Sequence, residues 1–146
     1  MTNIANKQRI LVVDDERTNR AILKEILTPD NEVVLVEDGA QALGILDTED
    51  IDLILLDIMM PEMSGYAVCE ELNNNPKTMD IPVIFISALG HIQDKLIGLK
   101  HGGSDFITKP FQPEEILVRV KTHLKICSLQ KELEAAKKEI KKLKDS

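Results

Sequence analysis

Aromatic side chains are scarce in this sequence of 146 residues, which has no Trp, one Tyr and three Phe. A hydrophobic core must therefore be built mainly from Ile, Leu, Val, Met and Ala. Long apolar runs are also missing: those over 10–13 and 83–86 are far shorter than the ~20 residues that span a membrane. The start shows no apolar segment followed by a small-residue cleavage site. We therefore expect a cytoplasmic protein.

Cysteine and histidine are also few. Cys69 and Cys127 belong to no CxxC motif, and neither lies in a cluster with His. His91, His101 and His123 are scattered without metal-ligand spacing, so we interpret them as ordinary helix or loop residues. The pattern gives no support to a zinc site and favours two free thiols in a reducing compartment.

The charge is unevenly distributed along the chain. Hydrophobic residues make up 43% and charged residues 29%, which is typical of one globular domain rather than of a disordered chain. Residues 1–118 contain 9 Lys and Arg against 21 Asp and Glu, a net charge of −12. Residues 119–146 contain 9 against 4, a net charge of +5. An acidic globule followed by a basic tail indicates two structural parts, and the acidic part is unsuited to nucleic acid.

Short β-branched runs alternate with segments of helical period, which is the pattern of a parallel α/β sheet. Pro82 is compatible with the first position of a strand. Ser64 is a suitable N-cap for the helix that follows it. The most hydrophobic strand, 53–56, should be central and buried on both faces. The predicted strands are 10–13, 32–36, 53–56, 82–86 and 105–108, and the predicted helices are 19–27, 40–46, one opened by Ser64, 92–99 and one from Pro113. The fold class is therefore α/β, a doubly wound five-stranded parallel sheet.

Polar residues follow four of the predicted strands. Asp14 and Asp15 follow the first strand, Asp57 the third, Ser87 the fourth and Lys109 the fifth. Ligands of a doubly wound sheet bind at the carboxyl ends of its strands, so these side chains should meet at one edge. Crowded carboxylates repel one another, which favours a protonated carboxyl or a bound cation. Oxygen ligands without His or Cys favour a hard cation, magnesium where phosphate is present.

This set of residues has the parts of a phosphoryl-accepting site. A cation would draw a phosphate oxygen toward Asp57 and offset the charge of that nucleophile. Lys109 would add a second positive contact for the phosphoryl oxygens, and Ser87 would donate a hydrogen bond. Each residue alone has a commonplace structural explanation, such as a capped turn or a surface lysine. Their joint occurrence at one edge favours function.

The segments ILVVDDE, LILLDIMMPEMSG, VIFISA and DFITKPF together resemble the four signature segments of response-regulator receiver domains. The resemblance covers roughly residues 8–125 and implies a flavodoxin-like fold of five βα units. It implies that a histidine kinase or phosphotransfer protein phosphorylates Asp57. It also implies that Asp14, Asp15, Asp57 and the main-chain carbonyl of Met59 bind Mg²⁺ or Mn²⁺.

The same resemblance assigns phosphoryl-binding and switching roles to further residues. Ser87 is the switch hydroxyl, Phe106 the switch aromatic, and Lys109 the phosphoryl-binding lysine, which a cis bond to Pro110 orients. Phe106 lacks the hydroxyl of the Tyr that is frequent in the family, so it can rotate inward without a hydrogen bond at its tip. Ser64 stands where the family often has Asp, and both residue types cap helices.

Two apolar residues should tune dephosphorylation. By resemblance, Met59 and Leu89 flank the path along which water approaches the aspartyl phosphate. Both are bulky and neither can orient water, so we expect a long-lived phosphorylated form that polar residues at these positions would shorten.

The last predicted helix changes pattern at residue 126. Positions a of a heptad are Ile126, Leu133 and Ile140, and positions d are Leu129, Ala136 and Leu143. We therefore divide the chain into a receiver over 1–125 and a helical extension over 126–146. Ile at a and Leu at d favour two parallel strands, so we expect a parallel homodimer along 124–143.

The charges flanking the seam agree with a parallel pairing. Position g faces the next position e of the partner, which pairs Glu132 with Lys137 and Glu139 with Lys144. An antiparallel pairing would place Glu near Glu. A single solvated helix stays open as the alternative, because Ala136 weakens the middle of a short seam.

Other functions fit the sequence less well. An aspartyl phosphatase needs a second acid two residues after the nucleophile, where Met59 stands. No GxxxxGK[ST] or GxGxxG motif supports nucleotide binding. We expect a signalling phosphoacceptor that catalyses only its own phosphorylation and dephosphorylation. It is either a stand-alone receiver or scaffold, or the front of a longer protein, and the charged end at 144–146 favours an output domain beyond Ser146.

Overall fold

The computed structural model describes residues 7–88 and 103–145. The predicted helix over 92–99 lies outside these ranges. The strands are β1 (Arg9–Val13), β2 (Glu32–Val36), β3 (Leu53–Asp57), β4 (Val83–Ala88) and β5 (Asp105–Lys109). The helices are α1 (Arg17–Leu27), α2 (Gly39–Thr48), α3 (Gly65–Asn73) and the C-terminal helix, α4 (Pro113–Asp145).

All strand pairs in the sheet are parallel, in the order β2-β1-β3-β4-β5. The prediction of a doubly wound parallel sheet is therefore confirmed, and β3 is central with all five residues buried. The predicted boundaries of the described strands and of α1 and α2 lie within two residues of the observed ones. Ser87 was predicted to follow the fourth strand but lies inside it, because β4 continues its pairing with β5 as far as Ala88.

The core consists of two layers, one on each face of the sheet. Alternate strand residues supply both layers, since successive side chains point to opposite faces. On one face, Leu11 and Leu56 pack with α2 and α3; on the other, Ile10 and Leu55 pack with α1 and the C-terminal helix. Every strand buried on both faces reads as a continuous apolar run, which is why the sequence predicted these strands well.

The start of α3 is packed tightly against the end of β3. The Ser64 hydroxyl accepts a hydrogen bond from Ala67 N at 3.3 Å, which confirms the predicted helix cap. Gly65 N donates to the Ile58 carbonyl at 3.0 Å. A Cβ atom on Gly65 would lie 2.4 Å from the carbonyl oxygen of Asp57 and 2.9 Å from Cα of Ile58. Only glycine therefore fits here without displacing the backbone at the end of β3.

The C-terminal helix continues without a break through the expected domain boundary at residues 125 and 126. Ile116, Val120 and Leu124 are buried against the sheet, and the residues beyond Ser128 are exposed as far as Asp145. Among the described residues, no helix is both long and apolar enough to cross a membrane.

We predict opposite effects for two glycine-to-alanine changes. Gly65→Ala should destabilise the protein by about 2 kcal/mol or more, because the new methyl group meets backbone atoms that cannot move aside. Gly44→Ala, at an exposed position of α2 with no atom within 4 Å of the new methyl group, should stabilise it by about 0.5–1 kcal/mol. Urea unfolding of both variants measures the difference. Equal effects would contradict the close approach at Gly65.

Candidate functional site

Three carboxylates meet at the carboxyl edge of the sheet. Asp14 and Asp15 directly follow β1, and Asp57 is the last residue of the adjacent strand β3. One oxygen from each carboxylate lies within 4.8 Å of the other two. Asp14 is fully buried and Asp57 is 2% exposed, whereas Asp15 is exposed. The register of the parallel strands thus brings together the acidic residues that the sequence singled out.

Asp14 is held rigidly but is incompletely paired. Its Oδ1 accepts a hydrogen bond from Glu16 N at 2.9 Å, and its main-chain carbonyl accepts one from Arg20 at 2.7 Å. Its Oδ2 is buried and accepts no hydrogen bond within the described ranges. A buried carboxylate oxygen without a partner is costly, and a bound cation would relieve that cost.

Asp57 lies close to the positive charge of Lys109. Its Oδ2 lies 3.6 Å from Nζ of Lys109, and its Oδ1 accepts a hydrogen bond from Met59 N at 3.1 Å. Burial, followed by the charge of Asp14, raises the pKa of Asp57 to about 7, although Lys109 acts in the opposite direction. Burial also raises the pKa of Asp14. Lys109 alone therefore does not compensate the two buried carboxylates.

The donor set fits a hard divalent cation. Asp14, Asp15 and Asp57 offer only oxygen atoms, and no His or Cys joins this cluster among the residues described. Oxygen ligands of this kind suit magnesium, calcium or manganese rather than zinc. The unpartnered Oδ2 of Asp14 is an independent sign of the same fit.

The expected switch residues lie on the two neighbouring strands. Ile86 pairs with Asp57 across β3 and β4, so Ser87 follows one residue further along the neighbouring strand. Ser87 is buried, and its hydroxyl donates to the carbonyl of Ala88 at 3.3 Å. Ala88 in turn pairs with Lys109 of β5. The bond between Lys109 and Pro110 is cis, as the resemblance implied.

Phe106 lies in the core rather than at the edge. It is 7% exposed, and its ring centre is 5.5 Å from that of Phe85. Phe85 packs edge-on against Tyr66 at the same distance of 5.5 Å. Phe106 is thus buried in one aromatic cluster with Phe85 and Tyr66.

Of the two residues expected to tune dephosphorylation, Met59 lies within the described ranges and Leu89 does not. The side chain of Met59 is 66% exposed beside Asp57, although its main-chain N–H is bonded to that carboxylate. Leu89 lies outside the described residues. Their shared role stays a prediction.

A second polar cluster was missed by the sequence analysis. Asp105, at the start of β5, contacts Arg119 at 2.6 Å and His123 at 3.0 Å, both from the C-terminal helix. Burial alone would raise the pKa of Asp105, but hydrogen bonds from Arg119, Phe106 N and His123 hold it below its usual value. Arg119 and His123 are four residues apart on one predicted helix, and this spacing indicates that the two side chains share one face of the helix. The cluster joins the strand that carries Phe106 to the C-terminal helix.

We predict that Asp57→Asn stabilises the metal-free protein, and more so at high pH. The folded pKa of Asp57, about 7, exceeds the ordinary value of 3.8, so the folded state loses stability as pH rises between these values. The variant removes this penalty and should gain roughly 1–3 kcal/mol at pH 8 and less at pH 5.5. Urea unfolding in EDTA at both pH values measures it. A gain that did not depend on pH would count against the raised pKa.

Comparison with known proteins agrees with this geometry. The sequence model of the response regulator receiver domain matches residues 10–121. A probable transcriptional regulator ycf27 from Cyanophora paradoxa is 45% identical over 121 residues, which are 82% of this chain and 49% of that protein. Response regulator PleD of Caulobacter vibrioides is 44% identical over 115 residues, 78% of this chain and 25% of that protein. The chain thus spans about half the length of the first relative and a quarter of the second.

Solved structures give the same result for the fold. A response regulator from Chloroflexus aurantiacus superposes with a TM-score of 0.79 at 31% identity, covering 82% of this chain and 98% of that one. NtrX from Brucella abortus superposes with a TM-score of 0.82 at 28% identity, covering 89% of this chain and 30% of that one. The family match covers most of the sequence and includes every strand of the described sheet except the first residue of β1. The chain therefore belongs to the response-regulator receiver family, a family of signalling proteins.

Proposed function

We propose that this receiver accepts a phosphoryl group on Asp57 from a histidine kinase or phosphotransfer protein, in the presence of Mg²⁺ or Mn²⁺. The observation that carries the proposal is the meeting of Asp14, Asp15 and Asp57 within 4.8 Å, together with Lys109 at 3.6 Å from Asp57. Lys109 brings one positive charge to this cluster, and a divalent cation would bring the further positive charge that a phosphoryl group bound among three carboxylates requires.

Each residue of the site has a distinct part in the proposal. Asp57 is the nucleophile, and Asp14, Asp15 and the main-chain carbonyl of Met59 complete the ligands of the cation. The bound cation would offset the negative charge that builds up as the carboxylate meets the phosphoryl group. Lys109 binds a phosphoryl oxygen through its ammonium, and the Ser87 hydroxyl donates a hydrogen bond.

The switch would run along β4 and β5 to the C-terminal helix. A phosphoryl group draws Lys109 and Ser87 toward Asp57, and these residues lie on paired strands. Phe106 is on the same strand as Lys109, and its neighbour Asp105 contacts Arg119 of the helix at 2.6 Å. A rearrangement of β5 therefore has a direct polar connection to the helix that leads toward residue 145.

The chain acts in this proposal as a phosphoacceptor rather than as an enzyme on a separate substrate. Met59 stands two residues after the nucleophile, where an aspartyl phosphatase would carry a second acid. Met59 and Leu89 are proposed to slow hydrolysis of the phosphorylated form, because neither side chain can orient water. A phosphorelay of this kind works in the cytoplasm, the location expected from the sequence.

The relatives suggest what the receiver controls. The chain spans 49% of the ycf27 regulator and 25% of PleD, so each of these relatives has further sequence beside its receiver. We propose that an output domain is joined through the C-terminal helix. A stand-alone receiver or scaffold is the alternative, and neither nucleic acid nor membrane is proposed as a direct partner.

The helical extension is proposed to form a parallel homodimer with a second copy of the chain. Four of its large a and d side chains, Ile126, Leu129, Leu133 and Ile140, are 43–55% exposed on the described helix. Leu124, the expected upstream limit, is instead buried in the receiver core, so the exposed seam starts at Ile126. Exposed g and e charges contribute little stability and select the parallel orientation.

We predict that acetyl phosphate adds one phosphate to the wild-type chain only when a divalent cation is present. Asp57→Asn should gain none, because the nucleophile is gone. Intact-mass measurement with and without EDTA checks both statements. Phosphate uptake by Asp57→Asn would refute the assignment of the phosphoacceptor.

Lys109→Ala should separate metal binding from switching. The Lys109 ammonium is proposed to contact the phosphoryl group and not the cation, so the magnesium affinity of the variant should stay within about threefold of wild type. Asp15→Ala, in contrast, removes a ligand of the cation and should bind magnesium much more weakly. The variant should also lose the conformational response to phosphorylation, measured by the change in amide exchange over β5. A magnesium affinity as weak as that of Asp15→Ala would contradict this division.

The seam is tested by two adjacent alanines. Ala136 is at position d and Ala135 at position c of the same heptad, and both are exposed. Ala136→Lys should give a monomer at tens of micromolar, because it places a charge in the seam, whereas Ala135→Lys should stay dimeric. Sedimentation equilibrium distinguishes them. Two variants with the same mass would remove the support for this seam.

A further inference from the structure

The C-terminal helix presents two different faces where it leaves the receiver. One face carries Leu124, which is buried, then Cys127, which is half-buried, then Lys131. Nζ of Lys131 lies 3.9 Å from Oδ1 of Asp52, which directly precedes β3. This face, which we call the docking face, therefore stays in contact with the receiver beyond the expected boundary at residue 125.

The docking face lies on the amino edge of the sheet. A cavity of about 240 Å³ separates the helix from the loops before β3 and β4, and its lining includes Leu124, Cys127 and Lys131 on one side and Ile51, Asp52 and Asp80 on the other. The receiver side of this contact is acidic and the helix side carries a lysine. Burial raises the pKa of the Cys127 thiol, with Lys131 acting in the opposite direction.

The apolar seam lies on the opposite side of the helix. Each residue of the docking face, at 124, 127 and 131, precedes a seam residue, at 126, 129 and 133, by two positions. Two residues turn an α-helix by about 200°. The seam residues Ile126, Leu129 and Leu133 are 43%, 49% and 55% exposed, as this opposition requires.

We infer that the helix binds its own receiver on the docking face and a second copy of this chain on the seam at the same time. This inference rests on the homodimer proposed above and adds that the two contacts do not compete. Dimerisation therefore leaves each receiver docked on the outside of the helical pair.

The position of Asp57 extends the inference to regulation. Asp57 ends β3 at the carboxyl edge, whereas Asp52 lies before the same strand at the amino edge. The five residues of β3 span on the order of 15 Å, so phosphorylation takes place at the opposite end of the sheet from the docking contact. Association of the two chains is therefore independent of phosphorylation, which acts instead on how the receivers and helices are oriented.

Cys127 supplies a built-in reporter of docking. It occupies position b of the heptad, so a second helix on the seam does not cover it, whereas the receiver half-buries it. Cys69 is fully buried in the core and serves as an internal reference. The rate at which N-ethylmaleimide modifies Cys127, followed by peptide mass, therefore measures docking, while sedimentation equilibrium of the same samples measures dimerisation.

The wild-type chain should be a dimer with and without acetyl phosphate and magnesium. Its Cys127 should react at the same rate as in the monomeric variant Ala136→Lys. A faster reaction in the dimer than in that monomer would show that the two contacts compete and would overturn the inference. Dimerisation only after phosphorylation would overturn it while leaving the homodimer intact, whereas a wild-type monomer in both states would overturn both.

Charge reversal on the docking face completes the test. Lys131→Glu faces Asp52 with a like charge and should speed the modification of Cys127 by about two- to fivefold without dissociating the dimer. The same change raises the thiol pKa, which slows the reaction, so an increase is a stringent result. Lys138→Glu is the matched control, at the same heptad position one heptad later. Equal rates for the two variants would overturn docking by this face.

Discussion

The crowding of two buried carboxylates is the constraint on which the rest of this structure depends. Asp14 and Asp57 have almost no exposed surface, and an oxygen of each lies within 4.8 Å of the other's. In the absence of a cation, burial raises the pKa of Asp14, and burial together with the charge of Asp14 raises the pKa of Asp57 to about 7. The crowded carboxylates lower the free energy of unfolding, and binding of a divalent cation or a proton restores it. Ligand binding at the site is therefore coupled to the stability of the fold.

The fold tolerates this cost because its core is independent of the site. Aliphatic strands buried on both faces form two hydrophobic layers, and the carboxylates follow or end those strands without interrupting them. Gly65 allows α3 to begin directly against the backbone of Asp57, which holds the end of β3 in place. A rigid sheet edge therefore presents charged groups whose repulsion cannot be relieved by movement of the backbone.

Local sequence patterns predicted the parallel sheet, because strand periodicity marks each strand. They also predicted that the acidic residues lie at one edge, because parallel strands all end at the same edge of the sheet. Long-range pairing was harder. His123 was interpreted as an ordinary helix residue, yet it lies 3.0 Å from Asp105, eighteen positions earlier in the chain. The four-residue spacing of Arg119 and His123 places both side chains on one face of the helix, but it does not show that this face meets β5. The burial of Asp14 Oδ2 without a hydrogen-bond partner within the described ranges likewise depends on tertiary packing, which the local sequence does not specify.

The C-terminal helix contacts the start of β5 through Arg119 and, further along its length, the amino edge of the sheet through Lys131. Arg119 is held by Asp105 beside Phe106, and Lys131 lies near Asp52, so the two contacts are twelve residues apart. Twelve residues of α-helix extend about 18 Å, which spans the height of the sheet. A helix fixed at one point can pivot, whereas a helix fixed at two points must rotate or shift as a rigid body. The proposed rearrangement of β5 would therefore reach the exposed a and d positions as a reorientation of the whole helix rather than as a local bend.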